Sequence, residues 1–405
     1  MEHLDRALAD YSRAIELDPN GSDSYTGRGV IYAQLKDLDH AQADYTKAIE
    51  LNQNNAQAYD NRGSLFRAKG DFGRAVSDYT KAIELDPKNS NTFDQRGYTY
   101  GRLDNLDAAL TDFNRSLELD PKNFRAFHHR GIIYRNKSDF DAALADFAKS
   151  LEIDPGNADV YDDRGFTYQK KGDFDRALAD FNKAIELDPR AALAYKDRGV
   201  TYRRRGDFDR ALADFSTAIQ LDPTFAVAYR VRGNLFLIRG DLDHARADYS
   251  KAIDLQPTNA EGWVGRGAVS FSGGDFRSAS DDWRRAVTIK NSKDSYTLLF
   301  RYLATARTGE AADAELRADA VGVKADAWPY PVVALFLGKS RPDATLAASG
   351  TPDNRCEAQF YVGEWYLLKG DSNNAASAFQ AALASCPNDF FEYAWAGVEL
   401  KRLEH

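Results

Sequence analysis

The sequence predicts an all-α solenoid, in which antiparallel helix pairs stack one on the next and a divergent helical C-terminal part follows them. Three observations predict it. A pattern of 34 residues recurs eight times between residues 22 and 293, without gap or insertion. Apolar and aromatic residues in each copy fall at helical spacing. Small residues hold fixed places where two helices have to approach closely. A fixed period outranks local propensity, because a unit of this size cannot bury its apolar face alone and must stack on a neighbour.

Taken in order, the chain opens with Met1-Glu2-His3 and a helical pattern from Leu4 to Leu17, so residues 1–21 read as the second helix of a truncated unit. Eight full units fill 22–293. Position 4 of every unit is aromatic, from Tyr25 and Phe127 to Trp263, and position 8 is always glycine, from Gly29 to Gly267. Alanine always holds position 20 and an aromatic position 24, as Ala143 and Phe147 do in the fourth unit. Gly and Ala let the two helices close up, and the rings at positions 4, 11 and 24 fill the space to the next pair; only Ser270 breaks the position-11 series. Proline ends six of the eight units, stopping the second helix and restraining its predecessor. Asn89, Asn123 and Asn157 then stand where the next helix needs an N-cap.

These residues resemble the tetratricopeptide-repeat (TPR) family over about two thirds of the chain. The resemblance implies a right-handed TPR superhelix whose concave surface is lined by the first helix of each unit, helix A, at positions 2, 5, 6, 9, 12 and 13. Position 7, usually leucine in the family, is arginine in all eight units, and position 23 is aspartate in all eight. Because both recur in one register, pairs such as Arg130 with Asp146 are expected to form a structural ladder; an anion-binding row of arginines is the functional alternative.

After Lys293 the register blurs. Residues 294–355 read as divergent hairpins: a helix from Ser295 to Gly309, a partner from Glu310 to Lys324, a short helix from Val332 to Gly338 and a loop from Ser349 to Asn354. A last unit, 356–389, keeps Gly363, Ala375, Phe379 and Pro387 in family positions, and 390–403 would be a capping helix. Residues 403–405 resemble a scar before a histidine tag, and both ends are read as those of a piece cut from a longer protein. Self-association through the truncated N-terminal repeat is one consequence.

The expected concave positions carry charge. Asp60, Asn61, Asp94, Gln95, Asp162 and Asp163 would form an acidic or amide row, and Arg67, Arg102, Arg135, Lys170, Arg203 and Arg204 a basic one, with His128, His129 and Lys196 as exceptions. Solvated faces with side-by-side pairing remain the competing account. Towards the C-terminal end the same positions turn apolar, at Val231, Leu237, Ile238, Val264 and Phe271. That patch either accepts a partner or is covered by the divergent region folding back.

Composition bounds the function. A net charge of −9 argues against nucleic acid as a partner. No run of about 18 apolar residues can span a bilayer, the most apolar segment being Trp328 to Gly338. His128 and His129 are neighbours on one helix and cannot chelate as an i, i+4 pair would, and no other zinc spacing or phosphate loop exists. No catalytic, cofactor or metal site is expected. The chain's two cysteines, Cys356 and Cys386, sit at the two ends of the last hairpin, where a disulfide can close, although two unrelated thiols are the alternative. A bond would place the protein in an oxidising compartment, most simply a periplasm, with the cytoplasm as the other option. In general layout the last part of the chain also resembles periplasmic TPR lipoproteins that serve as adaptors. The expected function is a non-catalytic scaffold or adaptor that binds a peptide or protein in the concave groove. The alternative is a regulatory or substrate-presenting module of a larger enzyme.

Overall fold

The structure, a computed structural model, describes residues 2–290, 295–325, 327–387 and 390–404. Among them every regular element is a helix. The chain forms two compact units, residues 1–190 and 191–405.

The first unit holds a helix at Glu2–Leu17 and five helix pairs, from Ser22–Gln34 with Leu38–Leu51 to Ala158–Lys170 with Phe174–Leu187. Helix A spans 13 residues and helix B 14 in each of these pairs. Side chains set both boundaries. Asn89, Asn123 and Asn157 cap their helices, each accepting a bond from a backbone N–H in the first turn. Asp139 does the same for helix B of the fourth repeat through the Ala142 N–H. The A–B turn needs a residue in the left-handed region at position 15. Glycine supplies it at Gly70 and Gly172, whereas Lys36, Asp104 and Ser138 adopt φ of 60–63° there without that freedom.

Packing within a pair follows from the small residues. The position-20 alanines are fully buried from Ala41 to Ala279, and the position-24 rings lie against helix A. A Cβ placed on Gly131 would stand 2.8 Å from Cε1 of Phe147, so only glycine admits the ring without displacement. The rings at positions 4 and 11 do what was expected and more. Tyr25 and Tyr59 pack on Ile49 and Ala58 where one pair meets the next, and Tyr195 and Tyr229 on Ile219 and Ala228. Most of these rings are only half buried because they also flank the position-7 arginine: the Arg130 guanidinium lies 5.6 Å from the Phe127 ring and 5.9 Å from the Tyr134 ring.

The second unit begins with three more pairs, from Ala192–Arg204 with Phe208–Leu221 to Ala260–Ser272 with Phe276–Lys290. The divergent region departs from its expected elements. Ser295–Arg307 is a helix, but its partner is only a short helix, Asp313–Asp319, with a 3-10 turn at Ala320–Gly322. Short helices also occupy Tyr330–Phe336 and Pro342–Ala347, the latter unanticipated. Helix A of the last hairpin starts early, at Pro352, because Thr351 caps it and proline suits the first turn, so half of the expected loop is helical. Ser372–Ser385 and Phe391–Leu403 complete the chain.

Trp395 is the centre of this region. It is 1% exposed, meets Phe300 edge-on at 4.9 Å, and lies 5.1 Å from Phe271 and 5.5 Å from Phe391. Its indole N–H donates to Ser272 Oγ at 3.0 Å. Arg402 donates to the carbonyls of Phe271 and Ser272 at 2.9 and 2.8 Å, satisfying the end of helix A of the eighth repeat and opposing its dipole. Nearby, Arg307 bridges the buried Glu364 and Glu399 at 3.1 and 2.9 Å. Burial, and then the Glu399 charge, push the Glu364 carboxyl up to about 7.

Candidate functional site

Position 7 places each arginine opposite position 23 of its own helix B, one side of the hairpin against the other. In all eight repeats Nε and Nη2 of the arginine donate to the two carboxylate oxygens of the aspartate, at 2.7–2.9 Å. Nη1 reaches back to helix B of the preceding repeat. Arg96 donates there to Thr80 Oγ1 at 3.1 Å, Arg130 to Asn114 Oδ1 at 2.6 Å and Arg232 to Ser216 Oγ at 3.1 Å. One guanidinium therefore ties three helices. With the Asp146 side chain 8% exposed and the Arg130 side chain 19%, the pair is fixed structure and not an open row of anion sites. The carboxylates keep these arginines protonated, pushing Arg28, Arg62 and Arg164 above the ordinary guanidinium value chiefly by hydrogen bonding.

The helix-A face carries the residues expected at the groove. In the first unit they are knitted together in a register the sequence reading did not anticipate: position 5 of one repeat meets position 6 of the next. Asp94 accepts from His129 Nδ1 at 2.9 Å, and Asp163 meets His128 Nε2 at 2.8 Å. Asp163 also accepts from Arg135 Nη1 at 2.6 Å, while the same guanidinium lies 5.2 Å from the Phe166 ring. Burial alone would raise the Asp163 carboxyl, but His128 and Arg135 outweigh it and hold it below the ordinary range. Arg67 likewise lies over Tyr98 of the following repeat, at 5.2 Å. Asp60 is half buried beside it; burial, against a bond from Thr92, keeps that carboxyl above its usual range. Asn61 and Asp162 are half buried as well.

Two separate charge rows are thus not what this face presents. Asp94 is 1% exposed, and its carboxylate is spent on His129. The open charges are those at position 13. Arg102 is exposed and stacks over Phe72 at 5.2 Å, and Lys170 is exposed with Nζ 5.1 Å from the Phe166 ring. In the second unit Arg204 is exposed and Arg203 half buried. The cue for the cross-repeat pairs was a spacing of 35, one residue more than the period, between Asp94 and His129 and between His128 and Asp163.

The apolar patch follows the second of its two readings, coverage by the divergent region folding back. Leu237 is 4% exposed and Phe271 1%, and they belong to the core built around Trp395; Val264 packs against that core and Val231 and Ile238 are half buried. The chain's own last helix covers Phe271: Trp395 packs on its ring, and Trp395 and Arg402 have hydrogen-bond partners at Ser272 and Phe271. Cys356 and Cys386 are bonded, with Cα atoms 4.8 Å apart, joining the two ends of the last hairpin. Sequence reasoning passed over Glu357, beside Cys356, and Glu392, six residues after Cys386; both carboxylates are buried and line a cavity of about 430 Å³. Among the described residues no group of His, Cys, Asp and Glu could hold a metal ion, and no helix is long and apolar enough to cross a membrane.

Comparison with known proteins agrees with this architecture. The tetratricopeptide repeat matches residues 22–55, 56–89, 78–111, 95–158, 130–195, 166–235 and 357–389, and the TPR repeat matches 233–271. A tetratricopeptide repeat protein from Parabacteroides merdae is 21% identical, with a TM-score of 0.51 over 62% of this chain and 99% of its own. YrrB, a TPR protein with an unusual peptide-binding site, is 30% identical over 45% of this chain and 95% of its own, at a TM-score of 0.39. PilW, a type IV pilus biogenesis factor, is 19% identical over 50% of this chain and 94% of its own, at 0.48. With matches running unbroken from residue 22 to 271 and returning at 357, the chain belongs to the tetratricopeptide-repeat family.

Proposed function

We propose that this protein is a non-catalytic scaffold that holds another protein along the helix-A face of its repeats. The observation that carries the reading is the cross-repeat network of His128, Arg135 and Asp163 with its aromatic neighbours. A face whose side chains are already fixed loses little entropy when a partner docks, and Tyr, Phe and Arg are the residues that interfaces favour. The partner meets aromatic edges and the position-13 cations, not a bare electrostatic field. We further propose an oxidising compartment, most simply a periplasm, supported by the bond between Cys356 and Cys386.

Arg135 is a poor probe of this surface, since reversing its charge would strand Asp163. Lys170→Glu together with Tyr98→Ala perturbs the same face while leaving the ladder intact. Proteins from native extract that the parent chain retains should be lost by this double variant and kept by Lys149→Glu, an exposed helix-B change. Equal retention by both would refute the surface assignment. Thiol alkylation in intact cells tests the compartment: labelling of both cysteines before reduction would rule the oxidising assignment out.

A further inference from the structure

The cavity in the second unit lies where helix A of the seventh and eighth repeats meets Ser295–Arg307, Pro352–Leu368 and the start of Phe391–Leu403. Its volume of about 430 Å³ is that of a ligand site and holds one long side chain with room for water. Val264, Phe300, Phe390 and Phe391 provide the apolar lining. Set into it are Glu357 and Glu392, 8% and 5% exposed. Their hydrogen-bond partners are neutral: Tyr296 and Trp328 donate to Glu357 Oε2 at 2.9 and 2.7 Å, and Tyr361 donates to Glu392 Oε1 at 3.2 Å. Among the described residues the one base in the lining, Arg230, is engaged at the rim with Glu261 at 3.0 Å.

Two carboxylates facing one apolar cavity, with no cation bonded to either among the described residues, are an expensive arrangement, and both are held above the usual carboxylate range by burial. The rest of the site keeps them in place. The Cys356–Cys386 bond ties the turn of helix carrying Glu357 to the end of Ser372–Ser385. Buried acids at an open cavity, held protonated by burial and ionised when an opposite charge enters, are suited to recognising a cation.

We infer that this cavity is a binding site for an alkylammonium group, a lysine side chain of the partner, with the ammonium between Glu357 and Glu392 and the stem against the phenylalanines. A chain-borne source is favoured because Arg230 and Val264 occupy position 5 and Asn234 position 9, the positions knitted into the helix-A face of the other repeats. The inference deepens the scaffold reading and rests on it for that source, but the cavity's preference for a cation does not depend on it.

The test uses the full oxidised chain and follows the Trp328 indole N–H by NMR while adding n-butylammonium chloride, Ac-Ala-Lys-Ala-amide, or the norleucine peptide that keeps the stem and lacks the charge. Both cations should shift the signal saturably and compete with each other, and the norleucine peptide should not. Glu357→Gln should weaken the lysine peptide at least about fivefold with helicity unchanged; Glu261→Gln, at the exposed rim, should weaken it less. If Glu357→Gln does not fold, the comparison of lysine with norleucine on the parent chain decides alone. Equal binding of the norleucine peptide, or no saturable shift from either cation, overturns the site. Binding of butylammonium without the lysine peptide overturns the chain-borne source. Failure of the helix-A surface would show separately, as retained capture by Lys170→Glu with Tyr98→Ala.

Discussion

Removing one partner of the ladder at the fourth repeat should cost more on one side than on the other. Arg130→Leu leaves the Asp146 carboxylate 8% exposed with no second base bonded to it, so its loss approaches the 3–5 kcal/mol of a broken buried pair, about 3 kcal/mol. Asp146→Ala leaves a guanidinium that is 19% exposed, still donates to Asn114 Oδ1 at 2.6 Å and still lies between Phe127 and Tyr134. Those contacts reduce its cost to about 2 kcal/mol. Combining the two changes removes both orphaned charges, so the double variant should fall short of the sum by at least about 1 kcal/mol. Urea unfolding followed by circular dichroism gives the energies. Amide exchange should show the fourth repeat opening before its neighbours, because a solenoid's stability is a sum over local interfaces. Costs below about 0.5 kcal/mol for both single variants, or strict additivity, would mean that the pair behaves as a surface ion pair and the ladder argument fails.

Ser138→Gly should stabilise by about 1 kcal/mol in the same urea assay, since Ser138 holds φ at 63° where five of the other turns use glycine. Reducing the Cys356–Cys386 bond should lower the stability of the last hairpin by about 3–4 kcal/mol and speed amide exchange in 352–403 before any in the upstream repeats. Raising the pH should also loosen the second unit. Glu364 and Glu392 keep their protons in the fold up to about 7, whereas an unfolded carboxyl gives its proton up near 4.3, so the folded state binds more protons between those values and loses stability as pH rises through them. Protection of 352–403 should therefore be greater at pH 5.5 than at pH 8, and Glu392→Gln should shrink the difference; a protection factor independent of pH would contradict the burial of these acids.

Much of the fold could be read from the sequence because the period is strict. Gly131 and Phe147 lie sixteen residues apart in every copy, so one unit's packing is the packing of all, and Arg130 with Asp146 follows by the same register. What crosses from one repeat to the next was harder. The pairing of Asp94 with His129 depends on how far one helix pair is rotated against its neighbour, and a period gives spacing without giving that rotation. The divergent region lost its legibility for a different reason. Helices of six or seven residues, such as Pro342–Ala347 and Asp313–Asp319, contain too few turns for an apolar stripe to stand out. Lacking the repeat, they also have no second copy to average over.

The capping of the solenoid and its cavity are two consequences of one event. Along position 12 the residues change from Arg135, Gln169 and Arg203 to Leu237 and Phe271, a turn from polar to large and apolar that marks where something must land. Trp395 lands there, and Arg402, two turns further along the same helix, secures the contact at the carbonyls of Phe271 and Ser272. Fixing the helix by its middle and its end determines where its first turn lies. That turn carries Phe391 and Glu392, which line the cavity instead of filling it. Glu392 is therefore held by a contact made elsewhere on its own helix, and it retains a position that its own desolvation opposes. A helix evolved only to cover the solenoid's end would gain by placing an apolar residue at that point. The retained acid, 5% exposed and facing Glu357 across an open space, is the part of the structure that capping does not explain.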